Sequence, residues 1–309
     1  MTQSDLILRL LLTHQMFETP VLLIGFNRPD HFRELINCLR KVAPHNIYIS
    51  IDGPRDFNEN DIQNVSETIS SIDCIDWECK LHILKRESNL GCGRAVSTAI
   101  SWVLEKEETV IVLEDDIRPI RSFFEFCERM LRHYRFDERI MTIGGHSTIQ
   151  IPNTSQDYRL SKYPEIWGWA TWRRSWDLYS YSLNDLPKIG FKQLLKVYGG
   201  NVLLATQTWM NFRAIRNHSI DTWDYQLVYC SIRFNKLHVI PNYNLTENVG
   251  FNALATHTKF PPVISPKPKD IVDLRFDAAI ACQSSFEKQS RAFSQRQFLK
   301  SLNNYLKFK

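Results

Sequence analysis

The 309-residue chain carries 38 Lys and Arg against 34 Asp and Glu, a net charge of +4, with 43% hydrophobic and 12% aromatic residues. That is enough apolar material for one large α/β domain or two modest ones, and it excludes a low-complexity or disordered chain. The mild positive charge neither demands nor excludes a polyanionic partner, and no nucleic acid is expected as one; seven cysteines, an odd number without a CxxC pair, argue for a reducing compartment rather than a disulfide framework or structural zinc.

In chain order, the opening LILRLLL is too short for a membrane span, is interrupted by Arg9, and lacks a small-residue cleavage site. A cytoplasmic protein is the expectation. Residues 20–27 form an apolar run of strand length, followed by a helical stripe, Phe32, Leu35, Ile36 and Leu39, over 30–42. NIYISIDG reads as a strand ending at Asp52, ENDIQNVSETISSI as a helix, and KLHILKR as a strand. GRAVSTAISWVLEK is helical and TVIVLEDD is a strand; the helix SFFEFCERMLRHYRF and the strand RIMTIGGHS complete the series.

This alternation predicts a mostly parallel sheet with helices on both faces. Residues 151–186 read as irregular and aromatic-rich, followed by helices near 187–198, 202–217 and 223–235, then a strand and long loop from 236 to 258. FPPVISPKPKD is a linker by composition, and the tail from 286 is predicted to be a basic amphipathic helix.

Ligands of parallel sheets gather at the carboxyl ends of strands. Three polar signatures stand there: Asn27-Arg28, Asp52-Gly53 and Glu114-Asp115-Asp116. Three adjacent carboxylates are costly to bring together unless a cation or donor cluster neutralises them. Mg²⁺ or Mn²⁺ with substrate phosphates would do so. A solvated acidic turn, or a cap for the next helix, is the plainer alternative.

The strand-terminal EDD, together with PVLLIGFNRPDHFRELINCL, YISIDGP, NLGCGRAV, EIWGWATWRRSWD, TWDYQL and GFNALATHT in that order, resembles the GT-A glycosyltransferases, most nearly the N-acetylglucosaminyltransferase I type and a set of bacterial sugar transferases. The resemblance covers roughly residues 20–258. It implies a GT-A, Rossmann-like α/β fold with an aromatic-rich acceptor side. It further implies a nucleotide-sugar-binding half over 20–150 and an acceptor-binding, catalytic half over 151–260, flanked by an N-terminal extension (1–19) and a linker with basic helix (261–309). The implied activity is metal-dependent, inverting transfer of a sugar from a nucleotide-sugar donor, with UDP favoured, to a glycan or lipid-linked glycan.

On this resemblance Asp116 is the direct ligand of Mn²⁺ or Mg²⁺, Asp115 lies near the ribose or a metal-bound water, and Glu114 faces the donor sugar. Asp52 would accept a hydrogen bond from the base, or simply close an Asp-Gly turn. Asn27 and Arg28 stand where the nucleotide enters, Arg28 able to fork onto phosphate or to remain a surface charge. Gly91 and Gly93 permit close backbone approach, and Arg94 would reach the diphosphate or project into solvent. Asp224, between Trp223 and Tyr225, is the candidate base for the acceptor hydroxyl, or the cap of a helix; Asp221 is the neighbour most easily confused with it. His257 would be a second metal ligand, with His146 a weaker candidate. Trp167, Gly168 and Trp169 would face the acceptor, although the tryptophan cluster also suits a satellite core.

Two other functions are compatible with this architecture. A nucleotidylyltransferase would carry a Gly-rich loop with Arg and Lys after the first strand, where this chain has FNRPDHF. A non-catalytic carbohydrate-binding protein would not need acids at several strand ends. The basic tail offers a route to peripheral contact with the inner face of an anionic membrane, or a helix packed on the domain itself.

Overall fold

The computed structural model of the chain describes residues 17–148, 157–251, 267–270, 288 and 292. Strand β1 (Val21–Gly25) leads to helix α1 (Pro29–Leu39), β2 (Asn46–Ile51), α2 (Glu59–Ser70), a short 3-10 turn and β3 (Lys80–Lys85). Then come α3 (Gly91–Leu104), β4 (Thr109–Glu114), the short β5 (Ile117–Pro119), α4 (Arg121–His133) and β6 (Ile140–Gly144). The later half holds β7 (Tyr158–Ser161), β8 (Trp169–Trp172), α5 (Arg173–Trp176), α6 (Phe191–Val197), α7 (Val202–Arg216), α8 (Asp224–Arg233), β9 (Leu237–Pro241) and β10 (Thr246–Asn248).

One eight-stranded sheet runs β3-β2-β1-β4-β8-β6-β9-β7, and β5 and β10 pair as a separate ribbon. β3, β2, β1 and β4 are mutually parallel, as expected; β8 enters antiparallel to both β4 and β6, and β7 pairs antiparallel with β9. The region 151–186, expected to be irregular, therefore supplies two core strands. Each has only four residues, too short for a period-2 signal to emerge from the surrounding tryptophans.

Alternation along β1 shows why helices cover both faces. Val21 and Leu23 pack with Phe32, Leu35 and Phe123 on one side. Leu22 and Ile24 pack with Val96, Ile100 and Trp169 on the other. A third cluster, Leu194, Leu204, Phe212, Ile215 and Tyr229, lies beneath α6 and α7. Helix α1 begins with Pro29 and an acidic Asp30, and α2 is capped by Asn58, whose side chain accepts from the Asp61 amide at 3.1 Å. The cysteines at 38, 74, 79, 92, 127 and 230 are free thiols. No helix among the described residues is long and apolar enough to cross a membrane.

His238 on β9 is fully buried, with Nδ1 and the Thr142 hydroxyl 2.7 Å apart, and burial lowers its pKa from the ordinary value to about 3. The folded state thus keeps this imidazole neutral while the unfolded chain protonates it, so stability is lost as pH falls from about 6.5 toward the folded value. Urea titrations at pH 7 and pH 5 are expected to show roughly 2 kcal/mol of extra loss from this group. That increment should be absent from His238→Gln.

Candidate active site

Chain order reverses at β1: β2 and β3 lie on one side of it and β4 on the other. Such a switch point opens a crevice beyond the carboxyl ends of the strands. Here it is a cleft of about 870 Å³, lined by seven carboxylates (Asp52, Asp61, Glu114, Asp115, Asp116, Asp221 and Asp224) and by Arg28 and Arg55.

Arg28 leaves the end of β1 and forks onto Asp115, its Nη2 donating to Oδ1 and its Nε to Oδ2 at 3.2 Å, while Nη1 donates to Asp116 Oδ2 at 3.3 Å. Burial works against the Arg28 charge, but the two carboxylates outweigh it and hold its pKa above the ordinary value. Asp115 is buried, and desolvation pushes its pKa up against the opposing pull of Arg28. Glu114 is raised further, first by burial and then by the Asp116 and Asp115 charges. The β5–β10 ribbon closes this end: the Val249 amide donates to the Asp116 carbonyl at 2.9 Å, and a Cβ on Gly250 would collide with the Asp116 carboxylate.

Among the described residues no group of three or more His, Cys, Asp or Glu side chains forms a ready-made metal cage. Arg28 engages both oxygens of Asp115 but only Oδ2 of Asp116, and Asp116 and Glu114 both line the cleft. A hard divalent cation held by one or two carboxylates and otherwise by substrate phosphate oxygens fits this donor set. His257 lies outside the described residues. His146 is buried behind the cleft, its Nδ1 3.4 Å from Glu165 Oε2 and its ring 4.4 Å from that of Trp167.

Asp52 lines the base of the cleft and is largely committed to the chain itself. It accepts from the Gly53 and Leu90 amides at 3.0 Å each and from Asn89 Nδ2 at 2.9 Å. Burial nevertheless raises its pKa, against those hydrogen bonds. Asn27 donates to Asp61 Oδ1 at 2.7 Å, and Asp61 also accepts from Arg55 Nη2 at 2.9 Å. The Arg55 guanidinium sits 5.5 Å from the centre of the Phe26 ring. Arg55, chiefly through its hydrogen bonds, keeps the Asp61 pKa below the carboxylate norm. Sequence reasoning missed this network: Asp61 occupies the first turn of α2, where an acid reads as a helix-dipole partner.

The second wall comes from residues 221–224. The Gly93 amide donates to Asp221 Oδ1 at 2.9 Å, so Asp221 caps the start of α3 from 128 positions away. Gly91 has φ +78, and a Cβ on Gly93 would lie 2.5 Å from Asp221 Oδ1 and 2.7 Å from the Thr222 carbonyl. Gly93→Ala is therefore expected to push the segment carrying Asp224 outward, costing about 1–3 kcal/mol of stability. Thermal denaturation would read that loss, and any activity should fall with it. Asp224 opens α8, its Oδ1 accepting from the Tyr225 amide at 2.8 Å and from the Thr222 hydroxyl. Between the two acidic groups lies the Cys92 thiol, raised first by burial and then by Glu114, Asp221, Asp224 and Asp116. The carboxylates of β4 and of the 221–224 segment thus converge on one space.

Three expected site residues stand elsewhere. Arg94 is exposed and directs its guanidinium over the Tyr181 ring, 5.2 Å from the centroid, rather than into the cleft. Trp169 is 1% exposed in β8 and stacks on Trp223 with centroids 5.4 Å apart, so it is a core residue. Gly168 sits behind the wall at φ +74, where a Cβ would press on Thr246 at 2.8 Å. Trp167 does line the cleft, with Phe251 against it at 5.5 Å.

The sequence matches no family model and no curated protein sequence. Among solved structures, the chain overlaps glucosyl-3-phosphoglycerate synthase from Mycobacterium tuberculosis in complex with Mn²⁺, UDP and glucosyl-3-phosphoglycerate, at 14% identity and TM-score 0.28, over 41% of this chain and 43% of that one. It thus spans less than half the length of that enzyme. It overlaps S. aureus TarS (residues 1–349) at 11% identity and TM-score 0.39, over 72% of this chain and 57% of that one. An apo UDP-glucose pyrophosphorylase overlaps at 10% identity and TM-score 0.38, covering 74% and 91%. These overlaps do not bear on the chemistry of the cleft.

Proposed function

We propose that the protein is a metal-dependent, inverting glycosyltransferase that moves a sugar from a nucleotide-sugar donor, UDP-linked by preference, to a hydroxyl of a glycan or lipid-linked glycan. The observation that carries the reading is the meeting of two separate acidic groups in one cleft, Glu114 and Asp116 at the end of β4 and Asp224 at the head of α8. One group suits a cation and diphosphate, the other a proton.

In this reading Asp224 takes the proton of the acceptor hydroxyl as that oxygen attacks the anomeric carbon, and the bond from that carbon to the diphosphate oxygen breaks. Asp116 and, in part, Glu114 would hold the divalent cation, which when bound would supply positive charge against the departing diphosphate. Arg28 stands beside them as a fixed positive charge. Asp52 holds the Asn89–Leu90 loop beneath the nucleotide, and the Asn27–Asp61–Arg55 network with Phe26 offers polar groups and a flat apolar surface to the base. Trp167 presents a ring to the acceptor sugar.

Calorimetric titration of UDP and GDP, each with and without Mn²⁺, tests the donor site. Metal-dependent binding of one nucleotide is expected. Binding of neither would remove the reading, whereas release of pyrophosphate from UTP and a sugar 1-phosphate would replace it with nucleotidyl transfer.

A further inference from the structure

Helices α6 and α7 carry a surface that the cleft chemistry does not use. Between residues 186 and 220 the sequence holds three lysines, two arginines and no acidic residue. Lys188, Lys192, Lys196 and Arg213 are exposed. Arg216 is the exception, turned inward to the Leu186 carbonyl and the Tyr229 hydroxyl.

Helix α7 is apolar on two opposite sides. Leu204, Ala205, Thr208, Phe212 and Ile215 are buried on the domain. At helical spacing on the other side stand Val202, Leu203, Trp209, Met210 and Arg213. Val202 is 58%, Leu203 44% and Met210 60% exposed. The Arg213 guanidinium lies 4.7 Å from the centre of the Trp209 ring, and Phe191 of α6 meets the same ring at 6.3 Å. Arg213 therefore shares the outward face of α7 with the apolar side chains, and the Phe191 contact brings α6, with its exposed Lys192 and Lys196, against that face.

We propose that this α6–α7 face docks on an anionic lipid surface, with Val202, Leu203, Trp209 and Met210 entering the headgroup boundary and the four exposed cations meeting lipid phosphates. Exposed apolar side chains flanked by Lys and Arg, without acids, are what an interfacial segment requires. Charge argues against the other occupants. A two-fold pairing of this face with itself would set the same cations against one another. The chain's own segment from 286 onward carries six basic residues and one acidic residue, so it too would be repelled.

The test is co-sedimentation of the full chain with phosphatidylcholine vesicles, with and without 30% phosphatidylglycerol, at low and high salt. Binding that needs the anionic lipid and weakens with salt is expected, together with about a tenfold loss in the double variant Leu203→Glu/Met210→Glu. Both residues are exposed, so circular dichroism should match wild type. Lys192→Glu/Lys196→Glu, which leaves the apolar stripe intact, should lose binding mainly at low salt. Absence of wild-type binding would overturn the proposal. So would undiminished binding by both variants, which would assign attachment to the basic C-terminal segment, or a concentration-dependent dimer abolished by Leu203→Glu/Met210→Glu.

Discussion

Asp224→Asn is expected to lower sugar transfer by about 10²–10⁴-fold while leaving nucleotide binding intact. The amide keeps the shape of the carboxylate and can still accept from the Tyr225 amide and the Thr222 hydroxyl through its oxygen. What disappears is the group that takes the acceptor proton. Asp116→Asn should act in the opposite way, removing the metal dependence of nucleotide binding and turnover with it, because that carboxylate is the cleft-facing one beside Gly250. Calorimetry and turnover on both variants separate the roles. If Asp224→Asn transferred sugar at near the wild-type rate, the base would have to be sought elsewhere, with Asp221 poorly placed for it because its Oδ1 caps α3.

Arg28→Ala is expected to destabilise the fold by about 3–5 kcal/mol, the cost of leaving one partner of a buried pair uncompensated. Asp115 is 3% exposed at its side chain, and among the described residues no other cation forks onto it. The deficit relative to wild type should shrink as pH falls, because protonation of Asp115, whose pKa burial already raises, relieves the unpaired charge. Adding Asp115→Asn to Arg28→Ala should restore much of the loss. Denaturant titrations of the two single variants and the double variant measure the coupling directly.

Strands β1 and β4 were legible because each is a continuous apolar run that stops abruptly at polar residues, whereas β2 and β3, broken by Ser50, His82 and flanking lysines, were legible from their alternation with helical stretches. The misplaced residues have a common cause: side-chain direction. Trp167 and Trp169 are two positions apart and would share a face of a regular strand. Gly168, at φ +74, breaks that parity, so one ring reaches the cleft and the other the core. Arg94 lies in the first turn of α3, but the start of that helix is already occupied by Asp221, and the guanidinium turns to Tyr181. Nothing local in the sequence announces a cap supplied from so far along the chain. Cys92 and Asp61 were equally silent, each passing for an ordinary residue of a helix start.

The Asp221 contact also bears on the order in which the molecule can be built. Closing a loop of 128 residues costs about 4 kcal/mol of chain entropy, several times what one hydrogen bond returns. The contact can form only once β4, β8 and β6 have brought the two regions together. The cleft should therefore assemble late in folding, and a nascent chain released before residue 221 would hold most of its sheet while α3 still lacked its cap.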